Sequence, residues 1–128
     1  MNLRRKEIEV LEDRARRMLA AAEEHLSKGD YDLSCFMAEQ VSQLYVKAKI
    51  LEKTGEMPRT HLIRQLLGLL KTLGAEDAEK FVKNNRELLL KMEDAYLQTR
   101  YLPKLYEKED AEILLALAKE VFKLAERV

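Results

Sequence analysis

The sequence predicts an all-α protein, an up-and-down four-helix bundle with an additional short helix. Three observations support this: only four glycines and two prolines occur in 128 residues, hydrophobic residues make up 47%, and apolar side chains recur three and four positions apart. Few helix breakers combined with a helical period favour helix over sheet, and no segment shows the alternation of a strand. The length fits one domain over residues 1–128.

The first two helices are predicted for residues 3–27 and 31–53. Apolar residues of the first share one helical face: Ile8, Leu11, Ala15, Met18, Ala22 and Leu26. Gly29 suits the C-cap of this helix, and Asp30 suits the N-cap of the next. A similar apolar stripe runs from Leu33 to Leu51, and residues 54–59 form a loop.

Three further helices are predicted for residues 61–73, 76–100 and 107–127. Thr60 suits the N-cap of the short, leucine-rich third helix, and Pro103 ends the fourth. Apolar residues of the fifth spread over roughly 200° of its surface at about 100° per residue. One bundle seam needs less than this, so the fifth helix is expected to contribute to a homodimer. Two positions are open for Leu115, one at the dimer contact and one in the core.

Composition excludes several classes of protein. Basic and acidic residues both number 23, which argues against a dedicated nucleic-acid surface but leaves room for a small basic pocket. Cys35 is the single cysteine, so no internal disulfide forms, and a core position is expected for it. The longest apolar run, residues 113–118, is far shorter than the ~20 residues that span a bilayer. We expect a cytoplasmic protein with no membrane partner.

Motifs for metals and cofactors are missing from the sequence. It has no glycine-rich phosphate loop, no cysteine pair and no zinc-binding helix, and it contains two histidines. We therefore expect neither a metal nor a cofactor. Asp32 and Glu39 share a face of the second helix, about 10 Å apart along the axis, and are expected to be solvated or ion-paired at the surface.

The candidate binding site comprises Tyr96, Arg100, Tyr101, Lys104 and Tyr106, at the end of the fourth helix. Aromatic rings can stack on a base, and neighbouring cations can meet a phosphate. A structural interpretation stays open, in which the arginine satisfies the last carbonyls of the helix and the tyrosines cover the bundle end.

A secondary phosphate candidate comprises Arg59, Thr60 and His61. Free backbone N–H groups at a helix start, with an arginine beside them, can hold a phosphate. The structural alternative is that Thr60 caps the helix and His61 packs on the bundle.

Four segments resemble the HEPN domain family (higher eukaryotes and prokaryotes nucleotide-binding) in their order along the chain: residues 29–40, 58–61, 95–103 and 109–112. The resemblance implies an up-and-down helical bundle, a homodimer, and a nucleotide or RNA as ligand. It also implies a minimal nucleotidyltransferase as protein partner, in a toxin–antitoxin-like system.

Many HEPN proteins are metal-independent RNases that use an arginine followed, after four to six residues, by a histidine. Arg100 matches the arginine, but Tyr106 stands at the sixth position after it. Tyrosine, with a pKa near 10, is a poor proton carrier near neutral pH. The prediction is therefore a non-catalytic binding module. The alternatives are an RNase with an altered Arg-x5-Tyr motif and a purely structural interaction bundle.

Overall fold

The protein is described by a computed structural model covering residues 3–102 and 104–128, without the side chains of Leu3 and Arg100. Within these residues it consists of six helices and has no strand. The helices are α1 (Leu3–Lys28), α2 (Tyr31–Thr54), α3 (Ile63–Thr72), α4 (Ala78–Asn84), α5 (Arg86–Tyr101) and α6 (Lys108–Glu126). The all-α prediction is confirmed.

Helix α2 lies at the centre of the fold and packs against α1, α3, α5 and α6. The long helices α1, α2, α5 and α6 form the predicted up-and-down bundle, while the short α3 and α4 contact each other at its side. Twelve residues of α2 are buried, including Tyr45, whose ring stacks on Phe122 of α6 with the ring centroids 4.0 Å apart. Burial on several sides explains why α2 is rich in apolar and small residues.

The junctions of α1 and α2 are as predicted. Gly29 has a φ of 85°, in the left-handed region that favours glycine, and its N–H donates to the Leu26 carbonyl. Asp30 occupies the N-cap of α2, although its carboxylate contacts the His25 ring, 3.1 Å away, rather than capping the helix.

The predicted fourth helix is interrupted at Asn85, so the prediction of one continuous helix over residues 76–100 was wrong. Asn85 leaves the helical conformation (φ −119°, ψ 23°), and its side-chain amide donates to the Phe81 carbonyl. The Phe81 carbonyl accepts from the backbone N–H of Asn85 as well, at 3.0 Å. Asparagine is unfavourable inside a helix because its side chain bonds to nearby backbone groups in this way. The segment therefore forms α4 and α5, while Pro103, the predicted terminator, lies outside the described residues.

The wide apolar arc of α6 is buried within the chain. Leu115 is 4% exposed and belongs to the core, and α6 contacts α1, α2 and α5. The interpretation that this arc needs a second subunit was therefore wrong, because three helices of the same chain cover it. The homodimer itself remains a prediction.

Candidate functional site

A shallow pocket of about 200 Å³ opens between α2, the loop before α3, and α5. Its lining residues are Gln40, Gln43, Leu44, Lys47, His61 and Tyr96. The four residues from α2 are spaced three and four apart, so they project from one face of that helix. This spacing places two amides and one ammonium group along the same wall.

The pocket joins residues from both sites that the sequence predicted separately. The rings of His61 and Tyr96 lie nearly parallel, with an interplanar angle of 12° and centroids 5.7 Å apart. They form an aromatic surface at the mouth of the pocket, and the His61 residue is exposed. Such a surface can stack a planar base.

Hydrogen bonds link the pocket to a carboxylate beneath it. Gln40 donates to one oxygen of Glu39 at 2.6 Å, and Gln43 donates to the other. His61 Nδ1 lies 3.3 Å from both Gln43 Oε1 and Lys47 Nζ. When Nδ1 carries the proton, it donates to the amide oxygen of Gln43. When Nδ1 is unprotonated, it accepts from the ammonium group of Lys47. The imidazole can therefore exchange partners without leaving the site.

Glu39 is fully buried, which contradicts the prediction of a solvated surface carboxylate. Burial raises its pKa from 4.5 to about 7, while the amides of Gln43 and Gln40 and the charge of Lys47 oppose the rise. Asp32, its predicted companion, is exposed as expected. The reason for the difference is position, because Glu39 lies four residues after the buried Cys35, on the core face of α2.

Lys47 differs from the other half-buried cations among the described residues. Lys49, Arg64 and Lys91 each lie within 4 Å of a carboxylate. Lys47 has no carboxylate within that distance in the described part of the chain, and contacts the His61 ring instead. Burial lowers its pKa, and the charge of Glu39 partly opposes this. Partly desolvated and without an ion-pair partner, this ammonium group is suited to binding an anion.

The start of α3 is already occupied by an acidic side chain. The Glu93 carboxylate accepts from the Arg64 backbone N–H at 3.1 Å and pairs with the Arg64 guanidinium at 2.9 Å. The helix begins at Ile63, so the prediction that Thr60 is its N-cap was wrong; the Thr60 hydroxyl accepts from the N–H of Leu62 instead. The backbone N–H of Arg64 therefore cannot also donate to a phosphate.

Of the secondary phosphate candidates, the structure brings His61 alone into the pocket lining. Arg59 is exposed and has no ion pair with any described residue, and Thr60 contacts Gln65. The backbone start of α3 and the pocket are thus separate features.

Tyr106 is 8% exposed, so its ring is not accessible for stacking on a ligand. Its hydroxyl is buried without a hydrogen-bond partner among the described residues, and burial raises its pKa to about 12. The Lys104 ammonium lies 5.1 Å from the centre of the ring. Cys35 is also buried, as predicted, and burial raises the pKa of its thiol to about 12. Tyr106 therefore packs into the protein rather than facing a ligand.

The two remaining candidates lie at the end of α5. Tyr101 is 67% exposed, and the side chain of Arg100 lies outside the described residues. Large apolar side chains are also exposed here: Leu97, Leu102 and Leu105, the last at 91%. We call these three leucines and Tyr101 the α5-end patch. Exposed apolar side chains gathered at one place are a feature of interaction surfaces, so the patch is a candidate for one.

Sequence reasoning missed Glu39, Gln43 and Lys47 as site residues. A helical-wheel comparison would have found Glu39, because it shares a face with buried residues of α2. Lys47 carries no such signal, since its lack of a carboxylate partner depends on how α3 and α5 pack against α2. Within the described residues, no cluster of three or more histidine, cysteine or acidic side chains is arranged for a metal. No described helix combines the length and apolar character needed to cross a membrane.

Comparisons with known proteins relate the whole bundle to one family. The HEPN domain family matches residues 8–128, nearly the entire chain. The crystal structure of TT1696 from Thermus thermophilus is similar, with 27% sequence identity, a TM-score of 0.73 and 98% of each chain covered. No curated protein matches the sequence. The chain therefore belongs to the HEPN domain family and is, in general terms, a nucleotide- or RNA-related module.

Proposed function

We propose that this protein is a non-catalytic module that binds a nucleotide or an RNA through the pocket of Lys47, His61 and Tyr96. The observation that carries the proposal is Lys47, a half-buried ammonium group without a carboxylate among the described residues. A phosphate would supply the missing negative charge. A base could then stack against the exposed aromatic surface beside it.

The absence of catalysis rests on Tyr106, which stands where catalytic family members carry a histidine. A general acid or base must exchange protons near the working pH. The burial of this phenol and its pKa of about 12 make it unsuited to that role. RNA cleavage through an Arg-x5-Tyr motif is consequently the weaker candidate.

A homodimer also belongs to the proposal, with the α5-end patch rather than α6 as its contact. Leu97 and Tyr101 are four residues apart on α5, and Leu105 follows in the segment leading to α6. Joining two copies at this patch would cover side chains that are 53% to 91% exposed in the single chain. It would also bring two copies of Arg100 close to the interface.

The family resemblance alone supports a minimal nucleotidyltransferase as partner, a toxin–antitoxin-like role and a cytoplasmic location. Co-expression with such an enzyme, followed by purification through a tag on one protein, tests the first of these. Failure of the two proteins to copurify would contradict the partnership while leaving the pocket unaffected.

The binding proposal is tested with Lys47→Met and a matched control, Lys53→Met, which changes an exposed lysine of the same helix. Calorimetric titration with uridine monophosphate and adenosine monophosphate should show binding to the wild type. Loss of one charged hydrogen bond, about 1.5–3 kcal/mol, corresponds to roughly 10- to 150-fold weaker binding by Lys47→Met. Equal affinities for the two variants would contradict the site.

A further inference from the structure

A second groove, of about 420 Å³, lies between α3 and α4. It is lined by Arg64, Gly68, Lys71, Ala78, Glu79, Val82 and Lys83. The three residues from α3 are spaced four and three apart, so they form one continuous face of that helix. From Arg64 to Lys71 this face extends about 10 Å along the helix axis.

Gly68 forms the floor of the groove in the middle of α3. Glycine is less favourable than alanine inside a helix, and Gly68 does not have the positive φ that would require it. A Cβ atom added here would meet nothing within 4 Å, so the packing of the chain does not require glycine either. What the glycine provides is room for another molecule to approach the helix backbone closely.

The side chains around this floor are mostly cationic. Arg64, Lys71 and Lys83 face one acidic lining residue, Glu79. Lys71 pairs with Glu79, but both side chains are exposed, and pairs of this kind contribute little and exchange readily. Lys83 has no carboxylate within 4 Å among the described residues. Arg64 is paired with the buried Glu93, so Lys83, together with Lys71 when its surface pair exchanges, is available to attract an anion that extends along the groove.

The groove begins beside the pocket. His61, at the pocket mouth, precedes Arg64 by three residues, and Arg64 lines the groove. On the opposite side, Glu93 pairs with Arg64 and lies three residues before Tyr96 on α5. A chain molecule leaving the pocket past the aromatic surface would enter the groove at Arg64.

We propose that the groove holds the sugar–phosphate backbone of a single-stranded RNA, one nucleotide of which occupies the pocket. This inference rests on the proposed function and identifies its ligand as an RNA strand rather than a free mononucleotide. The backbone passes over Gly68, with its phosphates between Lys71 of α3 and Lys83 of α4.

The test compares uridine monophosphate with a fluorescently labelled uridine hexanucleotide on the full chain, by calorimetry and anisotropy. The wild type should bind the hexanucleotide at least tenfold more tightly. Gly68→Gln, which fills the groove, should weaken hexanucleotide binding at least fivefold and leave binding of the monophosphate unchanged. Its melting temperature should rise, because glutamine is the better helix former. The matched control is Leu69→Gln, on the neighbouring exposed side of α3.

A second pair of variants tests the charges of the groove. Lys83→Ala should weaken hexanucleotide binding and reduce its dependence on salt by a slope of about 0.7, the value for one phosphate contact on a single strand. Lys80→Ala, on the same helix but outside the groove lining, should bind like the wild type.

The outcomes separate the two proposals. If monophosphate binds at the pocket and Gly68→Gln and Lys83→Ala both bind the hexanucleotide normally, the groove is not the RNA path and this inference is overturned. If Gly68→Gln weakens both ligands equally, it acts on the pocket, which also overturns the inference. Binding of polyglutamate that is lost in Lys83→Ala, without any effect on RNA, would assign the groove to an acidic protein segment instead. A wild type that binds neither nucleotide nor RNA would refute the proposed function and this inference together.

Discussion

Replacing Glu39 by glutamine is expected to change how the stability of the protein depends on pH. The carboxyl is fully buried, and its pKa is about 7 in the folded protein against 4.5 for an ordinary glutamate. Because the folded state holds the proton more tightly, the contribution of Glu39 to stability is fully present below pH 4.5 and is lost as the pH rises to about 7. The glutamine has no such dependence.

The pKa difference sets the magnitude of the effect. At 1.36 kcal/mol per pK unit, raising a pKa from 4.5 to about 7 corresponds to about 3 kcal/mol in total. Between pH 5 and pH 8, the wild type should lose about 2–3 kcal/mol of unfolding free energy from this group alone. Over the same pH range, the loss of unfolding free energy in Glu39→Gln should be smaller than in the wild type by this amount. The new amide also requires one neighbouring glutamine to turn its oxygen inward, which Gln40, half-buried at the pocket rim, can do.

Urea unfolding followed by circular dichroism at pH 5 and pH 8 measures both proteins. Asp32→Asn is the matched control, because Asp32 is exposed on the same helix and should keep the wild-type dependence on pH. If wild type and Glu39→Gln lose the same free energy between the two pH values, the carboxyl is ionised in the folded state at pH 5, and the reasoning from burial is refuted.

Three further variants address the core and the dimer. Tyr106→Phe removes a buried hydroxyl that has no partner among the described residues, so it should leave stability unchanged or raise it by up to about 1–3 kcal/mol in urea unfolding; a clear loss of stability would reveal a hydrogen bond to the phenol. Leu115→Glu places a carboxylate at a core position and should abolish helical circular dichroism at 25 °C. Leu105→Glu, at a position 91% exposed, should keep the helical signal and make the protein monomeric by light scattering. If Leu115→Glu is instead folded and monomeric, the dimer contact lies on α6.

The helices themselves were largely predictable from the sequence. Periodic apolar residues and the glycines that follow α1 and α2 placed those helices within one residue of their observed ends. Where prediction failed, a competing interaction was responsible. The side chain of Asn85 bonds to the Phe81 carbonyl and divides the fourth helix, and Glu93, 29 residues after Arg64, supplies the anion at the start of α3. No local sequence pattern around Thr60 predicts that this distant carboxylate binds at the start of α3.

The candidate site was partly predictable, because residue types indicate chemistry more readily than location. Tyr96 is predicted for its ring and His61 for its place at a helix start, but their juxtaposition depends on how α5 and the loop before α3 meet at α2. Tyr106 lies among other tyrosines and cations in the sequence, and this proximity predicts a residue that stacks on a ligand. Its burial results from tertiary packing at the bundle end, which sequence proximity does not reveal.

The interruption at Asn85 has a consequence for the order in which parts of the protein open. Helix α4 has seven residues and buries only one, Ala78, whereas α2 buries twelve. A helix this short is unstable on its own and depends on its contact with α3. Its amide hydrogens should therefore exchange with solvent through a local opening that leaves α2 protected. The free energy of this opening should be well below that of global unfolding. One wall of the α3–α4 groove can thus detach and close again while the four long helices remain assembled.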